Sequence, residues 1–263
     1  MTGTARRHRS ATTERRARVL GEVLAGHGGI HQLAAHFGVS PSTVRRDLGE
    51  LVRDGQVTRT YGGAVHASRA VERSLGDKEL GRRAEKDAIA RTAARLVEEG
   101  AVIVLDAGST TGRLARQLRR RRLTVITTGL NSLFVLAGSP EIDLIVPGGR
   151  VRHRNGAILG PPAEDLLRRL EADTVFLGAD GVTPGGGLSS PSLEQAHLKY
   201  LMLHRARQVV VLADHSKLGR VPFPYRTPLD RAHTLVTDSG ADDATLVSFR
   251  GAGCEVVVAP RSG

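Results

Sequence analysis

Residues 39–65 read VSPSTVRRDLGELVRDGQVTRTYGGAV, and they combine a helix start, an apolar stripe and a hairpin turn. Ser40 is a residue type that caps helices, and Pro41 suits the first helical position because its missing N–H needs no partner there. Three apolar residues at i, i+4 and i+7 predict an amphipathic helix. They are Val44, Leu48 and Leu51. The polar residues that must then face elsewhere include Ser42, Thr43, Arg45 and Arg46.

The flanking segments extend this pattern. A short helix precedes the stretch and stops at Gly38, since glycine tolerates the positive φ of a tight turn. After the second helix, QVTRTYGGAV predicts a strand, a turn and a return strand. Two helices joined by a turn, followed by a hairpin, are typical of a winged helix-turn-helix, whose recognition helix enters the DNA major groove. We expect this domain over residues 12–66. Its candidate DNA contacts are Ser40, Ser42, Thr43, Arg45, Arg46, Arg59 and Tyr61.

Charge supports this interpretation. The chain has a formal net charge of +11, and residues 1–70 hold eleven arginines, no lysine and five acidic residues. Excess positive charge attracts polyanions and releases their counterions on contact. An aromatic content of 3% and the absence of tryptophan argue against stacking on single-stranded nucleic acid.

The remainder predicts a different architecture. Residues 67–83 show no periodicity and are expected to be a linker, and a helix is predicted from Arg83 to Glu99. Over residues 84–260, short apolar runs alternate with helical ones, which predicts an α/β domain with a mostly parallel sheet. The predicted strands are AVIVLD, LTVITT, IDLIVPGG, DTVFLGAD, RQVVVLAD, HTLVTD and CEVVVA.

Polar motifs follow several of these strands, where open α/β sheets bind ligands. The first strand ends in DAGSTTGRLA, whose glycine, hydroxyls and helix start form a cradle for an anion such as phosphate. Taken alone, each such motif is equally compatible with an ordinary strand-to-helix turn. Lys199 and Lys217 lie beside strand-end carboxylates, whereas Lys78 and Lys86 do not. The chain has only these four lysines, so a retained lysine hints at a specific role.

The two halves together resemble the DeoR family of bacterial transcriptional regulators. The TVRRDL core and the R-x-x-G-G-A wing carry the resemblance in the N-terminal module, and the strand-end motifs carry it over residues 70–258. The resemblance implies that the second half is a sensor with a fold like ribose-5-phosphate isomerase, which binds a phosphorylated sugar. The implied phosphate contacts are Asp106, Gly108, Ser109, Thr110 and Thr111, with Thr128 beside them. The implied sugar contacts are Gly149, Asp180, Glu194, Lys199 and Lys217.

We therefore expect a repressor of carbohydrate metabolism genes that binds operator DNA and is released by a sugar phosphate. An isomerase using Asp180, Glu194 and Lys217 is the alternative, since a carboxylate base and a cation could move a proton. A basic, unspecific DNA-associated protein is a third. We expect a homodimer or homotetramer, because DNA half-sites need two binding modules. No cofactor, metal or membrane partner is expected, and an apolar run long enough for a membrane span is missing, which favours a cytoplasmic location.

Overall fold

The structure, a computed structural model, describes residues 14–23, 27, 29–53, 57–60, 63–66 and 72–261. Its contacts divide the chain into an N-terminal unit, Met1–Val71, and a C-terminal unit, Glu72–Gly263. Among the described residues, no helix combines the length and the apolar character needed to cross a membrane.

The N-terminal unit packs three helices and a hairpin around a small core. Residues 14–23 are helical and are called α1 here. Helices α2 (Ile30–Phe37) and α3 (Pro41–Arg53) follow, and α2 ends at Gly38, whose φ of 63° turns the chain sharply. The core brings together side chains from all three helices and the first strand: Val19, Val23, Ile30, Leu33, Ala34, Val44, Leu48, Leu51 and Val57. This burial of apolar surface confirms the stripe predicted for α3.

A two-stranded hairpin completes this unit. Strands β1 (Val57–Thr60) and β2 (Gly63–His66) pair antiparallel, with Thr60 opposite Gly63. Gly63 of the predicted Gly62–Gly63 turn lies in β2, while Gly62 and Tyr61 lie outside the described residues.

The C-terminal unit is built on a seven-stranded sheet in the order β14-β13-β11-β8-β3-β4-β5, with every pair of neighbours parallel. Each of the seven predicted apolar runs forms one of these strands, which confirms the predicted α/β class. The strands are β3 (Val102–Leu105), β4 (Leu123–Thr127), β5 (Ile142–Ile145), β8 (Ala172–Gly178), β11 (Ala206–Leu212), β13 (Thr234–Asp238) and β14 (Glu255–Ala259).

Helices cover both faces of the sheet. Alternate residues of a strand enter opposite cores, as Val175 and Phe176 of β8 do. The helices are α4 (Leu75–Leu80), α5 (Arg83–Ala94), α6 (Ser109–Leu118), α7 (Leu130–Leu136), α8 (Pro161–Arg168), α9 (Leu193–His204) and α10 (Asp243–Gly251), with a 3-10 turn at His215–Lys217. Two smaller antiparallel sheets were not predicted, because their strands are only three or four residues long. They are β6 (Arg150–Arg152) with β7 (Ala157–Leu159), and β9 (Gly181–Thr183) with β10 (Gly187–Ser190) and β12 (Tyr225–Thr227).

The segment before α5 differs from the linker expected over residues 67–83. Residues from Glu72 onward belong to the C-terminal unit, and Ser74 starts α4 with a capping box to Asp77. This one-and-a-half-turn helix is too short to show a periodicity. Helix α5 also ends at Ala94 rather than at Glu99, because a turn follows at residues 95–96.

Candidate functional site

The first candidate site is the polar face of α3. Ser40 accepts a hydrogen bond from the Thr43 N–H at 3.2 Å, so it caps the helix as its sequence position predicts. Ser42, Arg45 and Arg46 are exposed, and neither arginine forms an ion pair with a residue that the structure describes. Their guanidinium groups are therefore available to phosphates or base edges of a duplex.

A buried carboxylate fixes the orientation of this helix. Asp47 is 1% exposed and accepts from Arg15 Nε at 2.7 Å and from Arg16 Nε at 3.3 Å, both on α1. The hydrogen bond to Asp47 raises the pKa of Arg15, so this guanidinium stays charged. The contact ties α1 to α3 on the face opposite to the free arginines. Sequence spacing missed it, because Asp47 follows two arginines and reads as part of a solvated charge run.

The predicted wing contacts stay predictions. The backbone of Arg59 lies in β1, but its side chain is not described, and Tyr61 lies outside the described residues.

The second candidate site is a pocket in the C-terminal unit. From β3 the chain proceeds through β4 and β5 on one side, and then through β8, β11, β13 and β14 on the other. The strand order therefore reverses between β3 and β8, and ligands of open α/β sheets bind beyond the strand ends at such a point. The pocket lies there. Its lining consists of Leu75, Lys78, Ala107, Gly108, Ser109, Thr110, Asn155, Gly178, Ala179, Asp180, Pro191, Gln195, Lys199 and Lys217, and we call it the switch-point pocket.

One wall of the switch-point pocket is the loop between β3 and α6. Gly108 precedes the helix, and Ser109 and Thr110 line the pocket from its first turn. Asn131 braces the loop by donating to the Gly108 carbonyl at 2.8 Å. The amide dipoles and hydroxyls at this helix start favour a negatively charged ligand group. Thr111 is fully buried and donates to the Gly108 carbonyl at 2.9 Å, so it shapes the loop from behind.

Lys199 lines the pocket, and Asp106 lies buried beneath it. The Lys199 ammonium contacts the Asp106 carboxylate directly and donates to the Gly178 carbonyl at 2.8 Å. The Gly178 N–H in turn donates to Asp106 at 3.0 Å. Asp106 is therefore not a lining residue, as the family resemblance implied, but the buried partner that orients Lys199.

Two further ammonium–carboxylate pairs complete the site. Lys78 of α4 lies 2.5 Å from Asp180 Oδ1, and Lys217 lies 3.7 Å from Asp214. Burial alone raises the pKa of Asp180, yet the ammonium groups of Lys78 and Lys217 outweigh burial and hold that pKa below its usual range. Burial also raises the pKa of Asp214, but the charge of Lys217 opposes burial, and the net result is a lowered pKa. Both acids are therefore ionised beside cations.

Some of the implied effector residues lie outside this pocket. Thr128 is fully buried. Gly149 has a φ of 140°, and a Cβ there would clash with the Leu159 carbonyl oxygen, so the backbone requires glycine at this position. Glu194 accepts from Arg150 of β6, 3.0 Å from each carboxylate oxygen, and does not line the pocket. These three positions follow strand ends in the sequence, but none of them lines the pocket.

All four lysines of the chain gather around the switch-point pocket. Three line it, and Lys86 of α5 lies behind it, where it donates to the carbonyls of Lys78 and of Gly81, the latter at 2.8 Å. The expectation that Lys78 has no carboxylate neighbour is wrong, because Asp180 approaches it from a distant strand. The rarity of lysine was the available signal, and it applied to Lys78 as much as to Lys199.

Within the described part of the chain, no cluster of three His, Cys, Asp or Glu side chains is arranged to hold a metal ion. Cys254 is buried, and burial raises the pKa of its thiol, as expected for a core residue.

Comparison with known proteins finds a family model for each unit. Residues 16–70 match the model of the DeoR-like helix-turn-helix domain, and residues 82–239 match that of the DeoR C terminal sensor domain. The HTH-type transcriptional regulator GlpR of Haloferax volcanii is 34% identical over 93% of this chain and 96% of that protein. The glycerol-3-phosphate regulon repressor of Escherichia coli K12 is 32% identical over 81% of this chain and 85% of that protein.

Among solved structures, ribose 5-phosphate isomerase A from Methanocaldococcus jannaschii is similar at 24% identity over 50% of this chain and 52% of that chain, with a TM-score of 0.38. The two family models together cover both units, and the curated relatives match nearly the whole length. The chain therefore belongs to the DeoR family of helix-turn-helix transcriptional regulators.

Proposed function

We propose that this regulator represses genes of carbohydrate metabolism by binding operator DNA through the exposed face of α3, and that a phosphorylated sugar in the switch-point pocket releases it. The observation that carries the proposal is the pairing of two unlike anion sites in one chain. One is an exposed arginine face on α3, and the other is a pocket lined by a helix start and three ammonium groups.

The composition of the pocket supports a sugar phosphate over a simple anion. The loop of Gly108, Ser109 and Thr110 suits a phosphate group, because helix N-terminal amides and hydroxyls both donate to its oxygens. Asn155, Asp180 and Gln195 add acceptors and amides that suit hydroxyl groups. The name of the glycerol-3-phosphate regulon repressor contains a metabolite of this class, a phosphomonoester with free hydroxyls.

The pocket is less well suited to an isomerase. The proton-transfer set considered above needs Asp180, Glu194 and Lys217 together, but Glu194 pairs with Arg150 away from the pocket. Asp180 is held as an ion by Lys78, and a carboxylate with a lowered pKa is a weak base. The curated relatives are also named as regulators rather than as enzymes.

A ligand releases DNA only by favouring the conformation that binds DNA less well, with a coupling of typically ~1 to 3 kcal/mol. Operator half-sites require two copies of α3, so we propose that the chain acts as a homodimer or homotetramer.

Selection of bound DNA from a random-sequence pool by the full chain tests the proposal. We expect one enriched motif of repeated half-sites, and we expect at least one triose, pentose or hexose phosphate to lower affinity for it. Failure to enrich any motif would instead support an unspecific DNA-associated protein. Steady conversion of a sugar phosphate into product would support the isomerase.

A further inference from the structure

The segment that joins the two units in the chain also forms part of the pocket. Helix α4 begins at Leu75, a few residues after the N-terminal unit ends at Val71. Leu75 and Lys78 of this helix both line the switch-point pocket. The sensor domain model begins only at residue 82, so the matched sensor domain does not include this wall.

Several contacts fix α4 on the C-terminal unit. Glu72, which is 9% exposed, accepts from Arg152 Nη1 at 2.6 Å, and the Leu75 N–H donates to the Arg154 carbonyl at 2.8 Å. At the other end, the Lys86 ammonium donates to the carbonyls of Lys78 and Gly81. The position of Lys78 is therefore set from both sides of its helix.

The three cations of the pocket differ in how firmly they are engaged. The side chains of Lys199 and Asp106 are 9% and 7% exposed, so separating them would leave two charges buried. The side chains of Lys217 and Asp214 are 18% and 1% exposed and lie 3.7 Å apart. In the third pair, the side chains of Lys78 and Asp180 are 16% and 19% exposed. Asp180 is thus the most exposed of the three carboxylates, and it is the one left at the smallest desolvation cost when its cation turns to an incoming anion.

We propose that Lys78 binds the anionic group of the effector, so that the effector site is complete only when α4 is docked. This inference rests on the proposed function and deepens it. The ammonium of Lys78 moves from Asp180 to the ligand anion, and Asp180 becomes free to accept from a ligand hydroxyl. Because α4 is the first described helix of the C-terminal unit, the ligand thereby contacts the end of that unit that follows the DNA-binding unit in the chain.

Titration calorimetry of the full-length protein with inorganic phosphate tests this role without knowledge of the sugar. We expect Lys78→Gln to weaken phosphate binding about ten-fold or more, since it removes a charge-assisted hydrogen bond. Lys78→Arg keeps the charge and should stay within about two- to three-fold of the wild type. Arg168→Gln is the matched control, because it removes one positive charge from an ion pair on α8 outside the pocket and should change nothing.

A double-mutant cycle separates competition at Lys78 from a general change of charge. Asp180→Asn removes the carboxylate that competes for Lys78, so it should tighten phosphate binding, and Asp165→Asn on α8 serves as its control. In the Lys78→Gln background this gain should shrink markedly. Equal gains in phosphate affinity in both backgrounds, or a wild-type affinity in Lys78→Gln, would overturn the role of Lys78 but not the proposed function. A wild-type protein that binds neither phosphate nor any sugar phosphate would contradict the proposed effector class as well.

Discussion

The two units use their positive charges in opposite ways. In the N-terminal unit, Arg45 and Arg46 point to solvent from α3, without an ion-pair partner among the described residues. In the C-terminal unit, the lysines point inward, and three of them meet carboxylates in the switch-point pocket. An extended polyanion needs accessible, forked guanidinium groups, whereas a small anion is held by compact ammonium groups in a closed site. The difference is that positive charge forms an exposed arginine face in one unit and lysine–carboxylate pairs in a pocket in the other.

The carboxylates that pair with these cations also differ between the two units. Asp47 neutralises Arg15 and Arg16 permanently and serves the packing of α1 on α3. In the pocket, Asp180 opposes a lysine that the ligand also attracts. Substitutions on each side of this comparison should therefore have different consequences.

The largest effect is expected for Lys199→Met. The substitution leaves the Asp106 carboxylate buried without its cation, which typically costs about 3–5 kcal/mol of unfolding free energy. Urea unfolding of the full chain measures it. Lys217→Met is the matched variant, and its longer 3.7 Å pair should make the loss clearly smaller. Equal stability of Lys199→Met and the wild type would show that the Lys199–Asp106 pair does not stabilise the fold.

Asp47→Asn should destabilise the N-terminal unit by about 1–3 kcal/mol, because it removes a buried charge-assisted acceptor while Arg15 and Arg16 remain partly solvated. Thermal unfolding followed by circular dichroism measures the loss. Glu50→Gln, on the same helix and paired with Arg53, should cost under about 0.5 kcal/mol. If both variants have the same melting temperature, Asp47 does not anchor α3.

Thr110→Val should reduce the sensitivity to the effector by roughly five-fold, since it removes one hydroxyl donor worth about 1 kcal/mol. Affinity for operator DNA without effector should be unchanged. Anisotropy titrations with and without the active sugar phosphate check both statements. An unaltered effector response would exclude the hydroxyl from the phosphate cradle.

A pH dependence of stability is expected from Lys86. Burial, aided by the charge of Lys217, lowers its pKa to about 8 in the folded protein, against an ordinary value of 10.5. Between these values the unfolded chain holds the extra proton, so stability should rise with pH over this window. Subtracting the profile of Lys86→Met isolates this rise. A flat or falling difference would mean that Lys86 is not in a desolvated position.

Local pattern was sufficient for much of this structure. The seven strands, the apolar stripe of α3 and the hydroxyl loop at Ser109 and Thr110 follow from short stretches whose periodicity or residue types are distinctive. The missed features depend on contacts between distant residues. Glu72 meets Arg152 and Lys199 meets Asp106 across 80 and 93 positions, and no local pattern contains such pairs. For the same reason, Glu194 looked like a pocket residue and Lys78 did not.

The central claim is that the outward arginines of α3 contact DNA while the inward site binds the effector, so that removing one of these arginines weakens DNA binding without weakening effector binding. Measuring operator affinity and effector-induced thermal shift together for Arg46→Ala tests it most directly. We expect the free energy of binding to the selected operator to weaken by about 1–3 kcal/mol. The melting temperature and its increase on effector binding should be unchanged. Operator affinity equal to that of the wild type, or a large drop in melting temperature, would contradict the claim.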